Sequence, residues 1–345
     1  MKELLAQIIA AEGPLPVDRY MALCLGHPRL GYYMSRDPFG AAGDFTTAPE
    51  ISQIFGELIG IWCVAAWEAI GSPAPFALVE LGPGRGTLMA DLLRATARAP
   101  EFRAALQVHL VEMSPVLRKI QQDKLGDRLR WHDTIETLPD EPLIFIANEF
   151  YDALPIRQIE KRGAKYFERC VVMRGGELVL SEVPAPAFDF SDDGLHEISP
   201  ISGIVAEGLG ARIAALGGAG LVIDYGHFES GIGDTLQALK AHEVCDVLKY
   251  PGTSDLTAHV DFAQLAQAFK AGGAEVLPAI TQGQFLTAMG HEARAAKLAG
   301  QLSGETLSAF SAGARRLVDD KAMGKLFKVL AVAQQNRAAL YPFET

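Results

Sequence analysis

The chain has 345 residues, of which 49% are hydrophobic, and a formal net charge of −11. This length suits one large domain or a core with additions. The acidic balance disfavours nucleic acid as a partner, because phosphate backbones are normally bound by clustered Lys and Arg.

The first 71 residues predict helices around one long loop. Residues 1–11, 17–25 and 51–70 have helical spacing, and the stretch of residues 54–70 is the most apolar. It contains Glu57 and Glu68, which favours a packed helix over a membrane span. Neither a secretory nor a transit signal is recognisable, so we expect a cytoplasmic protein. Its scattered cysteines contain no CxxC pair, so neither a metal site nor a disulfide framework is indicated.

Residues 26–50 form the predicted long loop, which has little periodicity but contains Tyr32, Tyr33 and Phe39. A loop of this length is usually functional or disordered, and the aromatic content argues against disorder. We expect its last part to fold over a ligand as a lid or channel wall, with a purely packing role as the alternative. The predicted lid residues are Asp44, Phe45, Thr47, Pro49 and Glu50.

A strand, a glycine turn and a helix follow. Residues 76–81 are apolar enough for a buried parallel strand, and residues 87–95 have helical spacing. The G-x-G-x-G turn between them permits positive φ and close approach of a ligand to backbone N–H groups. A dehydrogenase fingerprint would need glycine at Thr87. The turn resembles instead the first motif of S-adenosyl-L-methionine (SAM) dependent methyltransferases, while another nucleotide or a structural turn remain alternatives. The predicted cofactor residues here are Glu80, Gly82, Pro83, Gly84, Gly86 and Thr87.

Strands and helices continue to alternate through residue 147. Residues 107–111, 129–132 and 143–147 are predicted strands, and Ser114 can cap a helix that begins at Pro115. The alternation predicts right-handed crossovers and a mostly parallel sheet, which binds ligands at the carboxyl ends of its strands.

Polar residues at these strand ends are further candidate cofactor contacts. Glu112 is expected to accept hydrogen bonds from both ribose hydroxyls, unless it is a solvated acid at a strand end. Asp133 could meet the adenine amino group or could be an exposed turn acid. Asn148 directly follows the fourth strand and is also predicted to contact the cofactor.

In the second half of the chain, the alternation of strands and helices is interrupted and then resumes. Residues 157–182 alternate around glycine turns, which predicts inserted antiparallel strands. Residues 204–216 and 285–302 are each predicted as one helix, and residues 220–225 and 326–332 as strands. The predicted domains are an N-terminal helical and loop extension (1–71), an α/β core (72–156 and 201–345) and a β insertion (157–200).

Six sequence blocks resemble the MidA-like SAM-dependent methyltransferases, a family with bacterial and mitochondrial members. The blocks are 43–50 (GDFTTAPE), 79–87 (VELGPGRGT), 148–155 (NEFYDALP), 223–226 (IDYG), 255–262 (DLTAHVDF) and 323–329 (MGKLFKV). The first and third are specific, whereas most methyltransferases share the glycine turn. The resemblance implies the class I (Rossmann-like) α/β methyltransferase fold, with SAM as cofactor.

The resemblance also suggests a substrate. The mitochondrial member is associated with assembly of respiratory complex I, as a symmetric arginine dimethyltransferase acting on one of its subunits. For this chain, taken as a bacterial relative, the resemblance implies a protein substrate, with homodimer formation left open.

Two acids after the fourth strand are the candidate catalytic residues. If the acceptor is an arginine guanidinium, a carboxylate pair can hold its planar fork and receive the proton. We predict Glu149 as the orienting acid and Asp152 as its partner. In the competing interpretation Asp152 caps a helical turn and Glu149 only touches SAM. His259 is a third candidate, although a lone histidine before a helix is more often structural.

Three functions remain open from the sequence. They are an arginine methyltransferase acting on a complex I subunit, a methyltransferase of a small molecule or other acceptor, and a non-catalytic assembly factor with a vestigial SAM site. The intact Gly82, Gly84, Gly86 and Glu112 argue against decay of the cofactor site but do not prove turnover.

Overall fold

The computed structural model describes residues 1–35 and 47–344, so Asp44 and Phe45 of the predicted lid lie outside the described residues. The strands in the described part are β1 Leu15–Pro16, β2 Phe76–Leu81, β3 Leu106–Val111, β4 Leu129–His132, β5 Leu143–Asn148, β6 Arg157–Arg162, β7 Lys165–Arg174, β8 Glu177–Ala185, β9 Gly194–Ile198, β10 Gly218–His227, β11 Gln237–Lys240, β12 Glu243–Cys245, β13 Asp255–Thr257, β14 Val260–Asp261, β15 Glu275–Val276, β16 Ile280–Thr281 and β17 Phe327–Ala333. The α-helices are α1 Lys2–Glu12, α2 Val17–Gly26, α3 Tyr32–Ser35, α4 Ala48–Ile51, α5 Gln53–Ala69, α6 Thr87–Ala95, α7 Pro100–Ala105, α8 Pro115–Leu125, α9 Pro200–Leu216, α10 Phe262–Ala271, α11 Gln282–Ala288, α12 His291–Ala299, α13 Gly304–Val318 and α14 Met323–Leu326. Within the described ranges, no helix combines the length and the apolar character that a membrane crossing requires.

The chain divides into two compact units. The N-terminal unit comprises Met1–Phe45, Asp152–Ile204 and Glu229–His259. The core unit comprises Thr46–Tyr151, Val205–Phe228 and Val260–Thr345. The boundaries of these two units differ from the domain boundaries predicted from the sequence. The predicted domain boundaries remain a prediction.

The core unit is built on one mostly parallel sheet in the order β15-β17-β10-β5-β2-β3-β4. Strands β10, β5, β2, β3 and β4 run parallel, and β17 runs antiparallel to β10. The chain first builds outward from β2 to β3 and β4, then returns to place β5 on the other side of β2. That reversal is the switch point at which open α/β sheets bind ligands. The predicted mostly parallel α/β sheet is therefore confirmed.

Continuous apolar runs explain why β2 and β5 occupy the middle of this sheet. Every residue of both strands is buried, as expected where helices cover both faces of a parallel sheet. Helix α5 packs closely on α6 because Gly56 and Gly60 have no side chains. A Cβ built at Gly56 would lie 2.7 Å from the Asp91 Cβ, and one at Gly60 would lie 3.1 Å from the Leu92 Cα. This packing supports the helix that begins at the glycine turn.

A buried ion cluster further ties α5 to α6 and α12. Both carboxylate oxygens of Glu57 accept hydrogen bonds from Arg294, at 2.6 and 2.9 Å, and Arg94 donates a third at 3.0 Å. Burial alone would raise the pKa of Glu57, but the bonds from Arg294 and Arg94 hold it below its ordinary value. The charged carboxylate therefore contributes stability above the ordinary pKa, and this contribution is lost as the pH falls through the lowered value.

Replacing this acid should measurably destabilise the protein. We expect Glu57→Gln to lower the free energy of unfolding at neutral pH by about 2 kcal/mol, less than for a fully buried pair because both arginines reach solvent. Denaturant titration measures the change. The matched control is Glu68→Gln, which alters an exposed acid of the same helix. Equal stabilities of the two variants would contradict the prediction.

The N-terminal unit has its own sheets and its own apolar core. Strands β1, β7, β6 and β9 form an antiparallel sheet in that order, with β8 on β7, and β12, β11 and β13 form a second sheet. Buried side chains of this core include Leu5, Tyr20, Tyr32, Val171 and Leu256. The inserted antiparallel strands predicted for residues 157–182 are confirmed as β6, β7 and β8.

Some local predictions were wrong. The helix predicted over residues 285–302 is two helices, α11 and α12, because Gly290 adopts a left-handed φ of 91° between them. Helix α13 was not predicted, and the long loop of residues 26–50 contains the short helix α3 and all but the last residue of α4. Apolar spacing detects continuous helices better than single turns or glycine breaks, which explains the errors at α3, α4 and Gly290. It does not explain the missed α13, a helix of 15 residues.

Candidate active site

The glycine turn lies at the switch point, directly after β2. Gly82, Gly84 and Gly86 all have positive φ, at 60°, 52° and 73°. A Cβ at Gly82 would lie 3.0 Å from the Phe150 ring, and one at Gly86 would lie 3.0 Å from a methyl group of Leu125. Because side chains are missing here, a ligand can approach the backbone of the turn closely, although the Gly82 and Gly86 N–H groups already donate to the Val111 and Pro83 carbonyls at 3.0 and 2.8 Å.

Two buried side chains at adjacent strand ends each hold a polar atom that lacks a hydrogen-bond partner among the described residues. These atoms are the Glu80 Oε2 and the Asn148 Oδ1. Burial raises the pKa of Glu80 to about 8, so its carboxyl group is mostly protonated at neutral pH. A ligand or water can supply the hydrogen bonds that such buried atoms lack. With the open glycine turn, they fit a ligand that carries both hydrogen-bond donors and acceptors, as SAM does.

Glu112 lies at the end of β3 and is linked to the glycine turn. Its Oε1 accepts a hydrogen bond from the Ser114 N–H at 2.7 Å, and its Oε2 accepts one from the Gln121 amide at 3.3 Å. The same Gln121 amide donates to the Gly84 carbonyl at 2.7 Å. Gln121 was not predicted, because a single glutamine in a helix carries no signal of this bridge.

Asp133 is exposed at the end of β4. Its carboxylate pairs with Arg118 at 2.7 Å, and the Arg118 Nε donates to the Glu112 carbonyl at the same distance. Arg118 therefore joins the two strand ends that were predicted to hold the ribose and the adenine. The structure brings both acids to one edge of the sheet, and their contacts to the cofactor remain predictions.

The described end of the predicted lid is held by hydrogen bonds to the same edge. The Thr87 hydroxyl donates to the Glu50 carboxylate, and Lys124 donates to the Thr87 hydroxyl at 2.5 Å. Arg85 lies 3.7 Å from the other oxygen of Glu50. Thr47 and Pro49, which precede Glu50 in the chain, are buried. Glu50 thereby connects α4 to the glycine turn.

Glu149 follows β5 in an unusual backbone conformation. Its φ is 50°, in the left-handed region that non-glycine residues rarely adopt. Its Oε1 accepts hydrogen bonds from the Ala48 N–H at 3.1 Å and from the Asn148 amide at 3.3 Å. The carboxylate is half-buried and held beside the strand end that neighbours the glycine turn.

Asp152 and His259, the other two candidate catalytic residues, belong to the N-terminal unit. Asp152 is buried, and its carbonyl accepts a hydrogen bond from the Ala258 N–H at 3.0 Å. The His259 N–H donates to the Thr235 hydroxyl at 2.9 Å. Residues 151–154 form turns rather than a helix, so the alternative role of Asp152 as a helix cap finds no helix to cap. Catalytic roles for both residues remain predictions.

Comparison with known proteins decides the family. A profile of the family described as "Putative S-adenosyl-L-methionine-dependent methyltransferase" matches residues 58–280. The chain belongs to this methyltransferase family. It is an enzyme that uses SAM as its cofactor, as the resemblance implied.

Named relatives and a solved structure agree with this assignment. The "Protein arginine methyltransferase NDUFAF7 homolog, mitochondrial" of Drosophila melanogaster is 37% identical over 96% of this chain and 84% of its own length. The human protein of the corresponding name is 36% identical over 95% of this chain and 82% of its own length. A crystal structure from Burkholderia thailandensis bound to S-adenosyl-homocysteine (SAH) has a TM-score of 0.85 and 27% identity, covering 100% of this chain and 95% of that one. The predicted methyltransferase fold is confirmed.

Proposed function

We propose that this methyltransferase transfers the methyl group of SAM to an arginine side chain of a protein. The observation that carries the proposal is the Glu149 carboxylate, held in a left-handed turn beside the glycine turn. The relatives' printed names, protein arginine methyltransferases, support the choice of acceptor.

The cofactor would be held by residues of the core unit. The glycine turn permits close approach of the cofactor to the backbone, and Glu80 and Asn148 offer buried oxygens that lack partners in the described part of the chain. Glu112 would accept hydrogen bonds from the ribose hydroxyls, and Asp133 from the adenine amino group. Pro83 and Thr87 would line the remaining side of the cofactor site. When bound, SAM supplies an electrophilic methyl group.

The acceptor chemistry explains why an acid is needed. A free guanidinium has a pKa above about 12, so its proton must be taken up as the new bond forms. A carboxylate can orient the planar fork through paired hydrogen bonds and receive that proton. We assign this role to Glu149. Asp152 remains its proposed partner because it follows three residues later in the chain, and His259 remains a proposed acceptor contact.

The segment before α5 is the proposed lid over the acceptor. Its described residues Thr47, Pro49 and Glu50 belong to the core unit, and Glu50 bonds to Thr87 at the start of α6. An enzyme that opens and closes at this segment could admit an extended protein segment and then exclude water. Trypsin can cleave the long loop of residues 26–50 after Arg29 and Arg36. Protection of this loop when SAH is bound would support the lid role, and nicking unaffected by SAH would count against it.

Cofactor affinity should depend on the ionisation of Glu112. Burial raises the pKa of Glu112 to about 7, against the lowering effect of its bonds to Ser114 and Gln121. Ribose hydroxyls donate to a carboxylate better than to a carboxylic acid. We therefore expect SAH to bind up to about tenfold more tightly at pH 8 than at pH 6, as the carboxyl group loses its proton.

Calorimetric titration with SAH at several pH values measures this dependence. The matched variant is Glu112→Gln, which should bind SAH more weakly and with little change over the same pH range. The same pH dependence in wild type and variant would contradict the assignment and would point to another acid, such as Glu80.

The wider setting follows from the same proposal. We infer a bacterial, cytoplasmic enzyme whose protein substrate is a respiratory complex I subunit, with a homodimer as a further possibility for its assembly. The buried Cys24, Cys63 and Cys170 are compatible with a reducing compartment. Size-exclusion chromatography with light scattering tests the oligomeric state.

Labelling in a cell lysate is the direct test of the acceptor. Purified enzyme is incubated with methyl-labelled SAM and a lysate from a strain that lacks this gene. We expect a labelled protein band whose hydrolysate contains methylated arginine. Label confined to small molecules, or no label although SAH binds, would overturn the proposal.

A further inference from the structure

Asp224 is a fully buried acid near the carboxyl end of β10, the strand next to β5. Its Oδ2 accepts hydrogen bonds from the N–H groups of Phe150 and Tyr151, at 3.2 and 3.0 Å. Its Oδ1 accepts one from the Tyr225 N–H at 2.9 Å. A buried carboxylate is costly unless it is well bonded, and backbone N–H groups are suitable partners.

Together with one bond from the Glu149 N–H, these hydrogen bonds hold the backbone of residues 149–151, which follow β5. The Glu149 N–H donates to the Ile223 carbonyl at 2.9 Å. Strand β10 therefore receives the N–H groups of residues 149, 150 and 151 in succession, the last two through Asp224. These hydrogen bonds hold Glu149 in its left-handed conformation, which costs an ordinary residue about 1–2 kcal/mol.

The side chains of Glu149 and Phe150, the first two residues of the held segment, contact α4 and the glycine turn. The Glu149 carboxylate accepts the Ala48 N–H, and the Phe150 ring lies against Gly82 of the glycine turn. A shift of the backbone at residues 149–151 would move the acid and the ring together. Misplacing a reacting group by about 1 Å can cost about 100-fold in rate.

We propose that Asp224 is a positioning residue for methyl transfer, which acts by fixing the backbone that carries Glu149. The inference rests on the proposed role of Glu149. An asparagine at this position keeps the shape and one acceptor oxygen. It loses the charge, and its amide N–H₂ would face one of the N–H donors now bound by the carboxylate.

The test uses Asp224→Asn in the full-length enzyme. We expect the rate of protein labelling in the lysate assay to fall by about 10- to 100-fold, with SAH affinity changed less than about threefold. Glu57→Gln is the matched control, because it also neutralises a buried acid of the core unit but should keep the labelling rate below its unfolding temperature. A wild-type rate for Asp224→Asn, with Glu149→Gln inactive, overturns this inference alone.

A double-mutant comparison separates positioning from an independent effect. If Asp224 acts through Glu149, Asp224→Asn combined with Glu149→Gln should label no more slowly than Glu149→Gln alone. Multiplied losses would overturn the inference. A wild-type rate for Glu149→Gln would instead overturn the proposed function.

Amide hydrogen exchange of the wild-type protein provides a readout that needs no variant to fold. The Phe150 and Tyr151 amides should exchange slowly in the absence of any cofactor, because Asp224 holds them. Fast exchange of both amides would overturn the inference.

Discussion

Glu149→Gln should reduce methyl transfer by about 100- to 10,000-fold, the range expected for loss of a general base. The amide has nearly the same shape, and its oxygen can still accept the Ala48 N–H that Glu149 accepts at 3.1 Å. What it lacks is the negative charge that orients a guanidinium and the basicity needed to take up its proton. The rate of protein labelling from methyl-labelled SAM measures the loss.

Cofactor binding distinguishes this outcome from a damaged site. SAH should bind Glu149→Gln with an affinity close to that of the wild type, because the ribose and adenine contacts lie elsewhere. Glu101→Gln, which alters an exposed acid on α7, should leave both binding and labelling unchanged. Unchanged labelling by Glu149→Gln would remove this acid from the mechanism.

Gly82→Ala should weaken SAH binding by about 100-fold, which corresponds to roughly 3 kcal/mol. The φ of 60° at this position penalises any side chain, and the new Cβ would lie only 3.0 Å from the Phe150 ring. Either the ring or the turn must then move. The cofactor could then no longer approach the backbone of the turn as closely.

A second glycine provides the control for backbone strain. Gly71 also has positive φ, at 95°, but a Cβ built there meets nothing within 4 Å. It precedes the start of β2, whereas the glycine turn follows the end of that strand. Gly71→Ala should therefore lose stability but retain SAH affinity. Calorimetry of both variants, under conditions where each is folded, separates strain from obstruction of the site.

Local sequence features predicted much of the core unit. The strands β2 and β4 have the predicted bounds, because each is a short run bounded by turns. Ser114 caps α8 through its own side chain, as its position before Pro115 predicted. Such signals act over a few residues, so they survive in any tertiary context.

The chemistry of the strand ends was only partly predictable. The alternation of strands and helices placed Glu80, Glu112 and Asn148 at one edge of the sheet. It did not predict that Gln121 would bridge Glu112 and Gly84, or that Asp224 would hold the turn after Glu149. Each of these bonds joins residues on different elements, and its geometry exists only once the sheet has assembled.

The sequence by itself therefore determined the α/β order, the glycine turn, the helix caps and the family. Tertiary structure alone decided which polar groups meet, as in the pairing of Glu57 with Arg294 and the left-handed turn at Glu149. The physical reason is the distance along the chain over which each effect acts. Propensity and capping depend on neighbours in the chain, whereas the partner and pKa of a buried acid depend on packing between distant segments.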